Sequence, residues 1–259
     1  MKIAILGAGA FGTALGGILA DNHYDIDYYD PKFGKENLSD VLNGADYVVL
    51  CAPSNAVSNI LPLLPKDISL IIATKGLFGD KLFHDFKDYM VLSGPGFAND
   101  IKAKKETKFT VTDDRLVKLF KAKYIVFDQT DDKNGVLMCG ALKNVYAIWA
   151  GVLGLKRDTA KWKKYINDVV KEMRDVLAAN GAKGDTAGLV CGISDLKLTC
   201  DYPSRNYEFG DNLRLDPNFV SQKTVEGLSA LRRLESGEIK IPSKANILKK
   251  IIKESYKWN

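Results

Sequence analysis

The sequence predicts an α/β protein, a doubly wound, mainly parallel sheet followed by an all-helical second domain. Three observations predict it. Short β-rich runs alternate with helical stretches through the first half, several of those runs are apolar on both faces, and from about residue 132 the apolar spacing becomes helical. Strands that are apolar on both sides need cover on both sides, which βαβ crossovers provide.

The expected strands are 2–6, 25–29, 47–51, 69–73, about 89–93, 108–112 and 124–127. The first runs directly into Gly7-Ala8-Gly9-Ala10-Phe11-Gly12, which opens an Ala- and Gly-rich helix. Glycines in that pattern allow a tight turn, a close backbone approach to a pyrophosphate and close helix–sheet packing, while the helix N-terminus offers free amides to the phosphates. In strand–turn–helix context this is the mark of a Rossmann-type dinucleotide-binding domain. Asp30 ends the second strand, 18 residues after Gly12. A carboxylate there accepts hydrogen bonds from ribose hydroxyls and repels a 2′-phosphate, so the expected cofactor is NAD, with NADP as the alternative. A surface turn residue before Pro31 is the competing explanation of Asp30.

Three more strands are followed at once by unusual loops: Ala52-Pro53-Ser54-Asn55, Thr74-Lys75-Gly76 and Gly94-Pro95-Gly96-Phe97-Ala98. Carboxyl ends of parallel strands share one edge of the sheet, where ligands bind. Lys75 is therefore expected near the cofactor, where a cation meets a phosphate or polarises a carbonyl; a solvated loop lysine is the alternative.

In the second half Lys143 stands alone among Leu137, Cys139, Ala141, Ala147, Ile148 and Ala150 on an apolar helix. Burial disfavours an ammonium, so this amine is expected to be a proton acceptor near neutrality unless it snorkels to solvent. Small residues dominate that helix face, so another chain segment or a cofactor can approach it closely. A second helix runs through Trp162, Ile166, Val169, Val170, Met173 and Leu177, closed by Asn180-Gly181, and further helices are expected over 186–200, 220–235 and 243–257. Between them lie Asp195, able to orient an ammonium or bind a hydroxyl, and Ser204-Arg205-Asn206. Arg205 offers a planar fork suited to a phosphate, with the neutral donors of Asn206 beside it. The expected organisation is a dinucleotide-binding domain at 1–131 and a helical substrate-binding domain at 132–259.

Composition bounds the function. The 259 residues carry a net charge of +5, with 15 Lys and Arg against 17 Asp and Glu in residues 1–131 and 22 against 15 in residues 132–259. No basic run interleaves with aromatics, so no nucleic-acid partner is expected; a small anionic ligand or a solvated surface accounts for the asymmetry. No apolar run is expected to approach the roughly 18 residues of a membrane span, and the apolar N-terminus is too short for a signal peptide. Cys51, Cys139, Cys191 and Cys200 lie far apart with no CxxC. Free thiols, no metal and a cytoplasmic location are expected.

Together these segments resemble the bacterial-type NAD(P)-dependent glycerol-3-phosphate dehydrogenases. The resemblance rests on GAGAFGTAL at 7–15, CAPSNAV at 51–57, ATKG at 73–76, SGPGFA at 93–98, GALKNVYAIWAG at 140–151, SDLKLTC at 194–200, SRNYEFG at 204–210 and TVEG at 224–227. It implies interconversion of sn-glycerol 3-phosphate and dihydroxyacetone phosphate, with Lys143, Lys75 and Asp195 as catalytic residues and Lys143 as the proton acceptor. It implies that Lys75 touches both cofactor and substrate, and that Gly94 and Gly96 lie on the substrate loop. Asp195, Ser204, Arg205 and Asn206 would bind the glycerol phosphate. Gly7, Gly9, Ala10, Phe11, Gly12, Asp30, Pro53, Ala98 and Glu226 would line the dinucleotide site, with Lys75 and Arg205 close to it. A homodimer is also implied. Only His23 and His84 could supply an imidazole base, and neither lies in a motif.

The sequence departs from the family pattern in four places. Gly96 stands where serine is usual, Ser194 replaces the glycine before Asp195, Asp30 replaces a basic residue, and the segment from Pro31 to Leu42 is contracted. The rival readings are a related two-domain hydroxyacid or ketopantoate-type reductase, and a non-catalytic NAD-sensing module. A carboxylate substrate gives no reason for the SRN phosphate clamp, and a sensor gives none for Lys143, Lys75 and Asp195.

Overall fold

The computed structural model describes residues 1–34 and 37–258. Lys35 and Glu36, within the contracted Pro31–Leu42 segment, and the final Asn259 lie outside the described residues. The chain divides into two compact units, one made of Met1–Thr74 and Asp80–Lys133, the other of Lys75–Gly79 and everything from Asn134 onward.

The first unit alternates β1 (Lys2–Leu6), α1 (Ala10–Asp21), β2 (Asp25–Tyr29), α2 (Leu38–Leu42), β3 (Tyr47–Leu50), α3 (Ser54–Ile60), β4 (Ser69–Ile72), β5 (Asp88–Ser93), α4 (Ala98–Lys102), β6 (Thr107–Val111), α5 (Asp114–Leu119) and β7 (Ile125–Gln129). The seven strands form one sheet in the order β2-β1-β3-β4-β5-β6-β7. Every pairing is parallel except β5 with β6. Ile3, Ile5, Val49, Ile71, Met90 and Leu92 from the strands pack with Ala14, Leu15, Ile18 and Leu19 of α1 in one core. The continuous apolar runs are thus strands buried on both faces, as the sequence predicts. Strand order reverses at β1, which pairs with β2 on one side and β3 on the other. The glycine turn after β1 and the Cys51-Ala52-Pro53 segment after β3 therefore flank the topological switch point, where open α/β sheets bind ligands.

The second unit is helical: most of α6 (Lys133–Val152), then α7 (Ala160–Ala179), α8 (Asp195–Thr199), α9 (Arg205–Leu215), α10 (Glu226–Glu235) and α11 (Asn246–Ser255). Thr159 caps α7 by accepting from the Trp162 amide, and Gly181 closes it with φ +76°. Every residue of α6 from Gly135 to Gly151 is buried. By length and composition α6 could cross a bilayer, which corrects the expectation that no apolar run approaches that length; 94% of its most apolar window is buried inside the protein, so it is the core helix of this unit. Glycines of α9 and α10 bring those helices close against it. A Cβ at Gly210 would collide with the Ile148 carbonyl oxygen, and one at Gly227 would lie 2.7 Å from the Asn144 carbonyl oxygen.

Three expected helices differ. Residues 186–200 are a 3₁₀ turn over Gly184–Gly188, a π turn over Val190–Ser194 and then α8, because the backbone turns extended at Leu189, with ψ 175°, and breaks the ladder there. The helix expected over 220–235 begins only at Glu226, and that over 243–257 spans Asn246–Ser255. Arg205–Leu215 is helical although no helix is expected there.

Candidate active site

In the first unit the glycine turn has the form of a phosphate cradle. Gly7 has φ +112°, and a Cβ on it would lie 2.8 Å from the Cys51 carbonyl carbon, so only glycine fits. A Cβ on Gly9 would meet nothing within 4 Å, which leaves its outer side open. No side chain caps the N-terminus of α1 at Gly9, so the backbone donors of its first turn face outward. Ala10 and Phe11 supply that first turn and Gly12 packs against the Gly7 carbonyl. These features fit a dinucleotide pyrophosphate.

Asp30 does more than end β2. Its Oδ2 accepts from the Ala8 amide at 2.8 Å and its Oδ1 from the Lys32 amide at 3.1 Å. The carboxylate thus buttresses the glycine turn, and each oxygen keeps a lone pair for a ribose hydroxyl. Pro53 sets the N-terminus of α3 and Phe97 that of α4, whose first residue is Ala98. Gly94 passes close to the next strand, for a Cβ there would lie 2.5 Å from the Lys108 carbonyl oxygen. A Cβ at Gly96 would already lie 3.1 Å from the Phe109 ring.

The second unit holds the charge cluster. Lys143 is 4% exposed, and its Nζ donates to Asp195 Oδ1 at 2.7 Å and to Thr199 Oγ1 at 2.9 Å. Lys75 donates from its own Nζ to Asp195 Oδ2 at 3.2 Å. One buried carboxylate, 1% exposed, therefore faces two ammonium groups. An isolated ammonium in such a place would cost several kcal/mol, which the carboxylate and hydroxyl offset. Burial drives the Lys143 pKa down to about 8, against the attraction of Asp195 and with the help of the Lys75 charge. Burial also pushes Asp195 up, but the two ammonium groups more than offset it and hold this carboxyl below its ordinary value. Lys143 does not snorkel, and its charge changes near neutrality.

Around this cluster the structure places the remaining candidates of the helical unit. Ser204 is buried and caps α9, accepting from the Tyr207 amide. Arg205, the next residue, is exposed, with no hydrogen bond or ion pair to its guanidinium among the described residues. Asn206 is buried with its amide engaged at both ends, donating to Asn144 Oδ1 at 3.0 Å and accepting from the Gly227 amide at 2.9 Å. Asn144 in turn donates to Glu226 Oε2 at 3.3 Å. Behind α6, the buried Glu172 accepts from the Tyr146 hydroxyl at 2.9 Å and from the Ile247 and Leu248 amides that begin α11.

Comparison with known proteins gives this arrangement its context. A family model described as the C-terminus of NAD-dependent glycerol-3-phosphate dehydrogenase matches residues 132–256. A glycerol-3-phosphate dehydrogenase (NAD(P)+) of Agrobacterium fabrum is 31% identical over 277 aligned residues, covering 88% of this chain and 85% of the relative. The chain belongs to the glycerol-3-phosphate dehydrogenase family. Another glycerol-3-phosphate dehydrogenase (NAD(P)+), from Brucella canis, is 30% identical over 275 residues, with 88% of this chain and 84% of the relative covered. The fold is shared with a solved glycerol-3-phosphate dehydrogenase from Coxiella burnetii, at a TM-score of 0.79 and 23% identity over 99% of this chain and 97% of that one.

For this glycerol-3-phosphate dehydrogenase family member, two polar residues escape motif reasoning. Thr199 touches Lys143 directly, and Asn144 links Glu226 to Asn206. Both were visible in principle, Thr199 because it stands four residues after Asp195 on one helix face and Asn144 because it adjoins Lys143. The departure at Gly96 also gains a physical reason, since the Phe109 ring and Ile101 occupy the space a side chain there would take.

Proposed function

We propose that this protein interconverts sn-glycerol 3-phosphate and dihydroxyacetone phosphate by hydride transfer, with Lys143 as the general acid–base group. The observation that carries the proposal is the buried Lys143, held at 2.7 Å from Asp195 with its pKa lowered to about 8. Oxidation of a secondary alcohol needs a base for the hydroxyl proton, and the lowered pKa makes the neutral amine accessible near neutral pH. In reduction the same amine, as ammonium, returns the proton to the forming alkoxide. The bound nicotinamide supplies and receives the hydride.

Other residues of the chain take distinct parts. Lys75, with its side chain 19% exposed, presents a second cation able to stabilise negative charge on the reacting oxygen. Asp195 holds and orients both lysines through its two carboxylate oxygens. Arg205 offers its unoccupied fork to the substrate phosphate, flanked by Ser204 and by the spare N–H of Asn206. Gly94 and Gly96 carry the substrate loop. Gly7, Gly9, Ala10, Phe11 and Gly12 hold the pyrophosphate of the dinucleotide, Asp30 its ribose, and Pro53, Ala98 and Glu226 complete that site, with Lys75 and Arg205 beside it. NAD is the preferred cofactor because a 2′-phosphate beside Asp30 suffers like-charge repulsion.

A substrate comparison tests this. Purified protein with NADH should consume the cofactor on addition of dihydroxyacetone phosphate and remain nearly inert with ketopantoate or a 3-oxoacid. Preference for a carboxylate substrate would assign it to a related reductase, and inertness with all of them to a sensor. The reading extends to a cytoplasmic homodimer, for which sedimentation equilibrium supplies the test.

A further inference from the structure

We infer that Arg233 is a positioning residue for this reaction, fixing the Lys75–Gly79 segment so that the Lys75 ammonium is held on Asp195. The inference rests on the proposed activity only for its kinetic consequences; the clamp itself stands on geometry. Lys75–Gly79 follows β4 in sequence, yet it belongs to the helical unit. The segment is short and carries glycines with positive φ, Gly76 at +88° and Gly79 at +92°. Such backbone keeps no shape of its own without anchors.

The anchors come from α10. Arg233 Nη1 donates to the Gly76 carbonyl at 2.8 Å, and its guanidinium lies over the Phe78 ring at 5.5 Å from the centroid. Its Nε and Nη2 are taken up by the two carboxylate oxygens of Glu238, a bidentate pair. The three contacts use the planar fork of arginine, one edge on Glu238, one nitrogen on the peptide and one face on the ring, an arrangement a lysine cannot reproduce. Leu77 and Phe78, between the two glycines, are both buried. The carbonyl gripped by Arg233 belongs to the residue directly after Lys75, so the grip fixes where the Lys75 side chain starts, while Asp195 fixes where it ends.

The clamp also reaches Lys143 through charge. The titratable groups acting on that amine are Asp195 from α8, Lys75, Glu226 at the start of α10 and the buried thiol of Cys200. Of these, Lys75 is the like charge, and it depresses the proton affinity of Lys143. If Lys75 swings away, Asp195 serves Lys143 alone and Lys143 holds its proton to higher pH.

A double-mutant cycle on the full chain is the test. Arg233→Ala should lower kcat for dihydroxyacetone phosphate reduction at least about tenfold, the scale of one lost hydrogen bond to a charged group, and shift the basic limb of the pH profile upward. In a Lys75→Ala background the same substitution should change kcat by less than about twofold, because residues acting through one group are non-additive. Arg233→Lys should recover only part of the loss. Acetylation of Lys75 in the folded protein, followed by mass spectrometry, reads the clamp without any turnover and should quicken in Arg233→Ala and, less, in Glu238→Gln. An equal loss of kcat with and without Lys75, or an unchanged acetylation rate, would overturn the inference. If the unmodified protein fails to reduce dihydroxyacetone phosphate, the functional reading fails and the acetylation rate still decides the clamp.

Discussion

Replacing Asp195 by asparagine keeps the shape of the side chain and removes the charge between two ammonium groups. At an effective dielectric of about 20, unit charges about 4 Å apart attract by about 4 kcal/mol. Lys143 Nζ lies closer than that to Asp195 Oδ1, at 2.7 Å, while the retained amide oxygen still accepts a hydrogen bond. Setting about 0.6 kcal/mol for that retained hydrogen bond against the attraction leaves a net loss of about 3.4 kcal/mol, or about 2.5 pKa units. Lys143, already lowered to about 8 by burial, should then titrate near about 5.5. At pH 7 the protonated fraction falls from about nine-tenths to about three in a hundred, so reduction should slow about thirtyfold for want of its acid. The sign differs by direction. In the unmodified protein, reduction should decline as pH rises through about 8 and oxidation should increase through the same pH, because on the proposed mechanism one needs the ammonium and the other the amine. In Asp195→Asn both limbs should move to lower pH, and acidification should restore part of the reduction rate. The assay is kcat/KM against pH in both directions, which reports the free protein's ionisations, with circular dichroism to confirm folding. A folded variant whose limb stays near that of the unmodified protein, or moves upward, would refute the coupling of Asp195 to Lys143.

Two further outcomes follow from the other parts of the site. Asp30→Ser should narrow a preference for NADH over NADPH chiefly by weakening NADH, and should also loosen the Ala8 amide; equal use of both cofactors by the unmodified protein, measured as Kd by fluorescence titration, would make Asp30 a buttress only. Arg205→Lys keeps the charge but loses the fork, and should raise KM for dihydroxyacetone phosphate about tenfold. Unphosphorylated dihydroxyacetone, a poor substrate throughout, should be nearly indifferent, and an equal effect on both would show that Arg205 does not grip the phosphate.

The sheet was legible because strands covered on both faces leave continuous apolar runs, as Val48-Val49-Leu50 and Leu70-Ile71-Ile72 do, in stretches rich in β-branched residues and too short for a helix. The period of α7 and its Asn180-Gly181 end were equally plain. The helix Arg205–Leu215 was not expected; its Gly210, a poor helix former, is the contact that lets α9 meet the Ile148 carbonyl. Lys143 was conspicuous as a charge in an apolar helix, but its partners stand 52 and 56 positions away, and spacing cannot supply them. Lys75 was placed with the sheet edge by its strand, whereas its segment groups with the helical unit and its ion-pair partner lies 120 positions away. The sequence pointed Asp30 at a ribose; its grip on Ala8 needed coordinates.

On the proposed mechanism Lys143 moves the proton while dihydroxyacetone phosphate becomes sn-glycerol 3-phosphate. The most direct test is the rate of NADH consumption with dihydroxyacetone phosphate for the unmodified protein and for Lys143→Met side by side, with product identified by NMR and NADH Kd measured for both. The unmodified protein should form stoichiometric sn-glycerol 3-phosphate. The variant should lose turnover on the order of a hundredfold or more, with NADH binding retained. Turnover by Lys143→Met within a few-fold of the unmodified protein would contradict the mechanism.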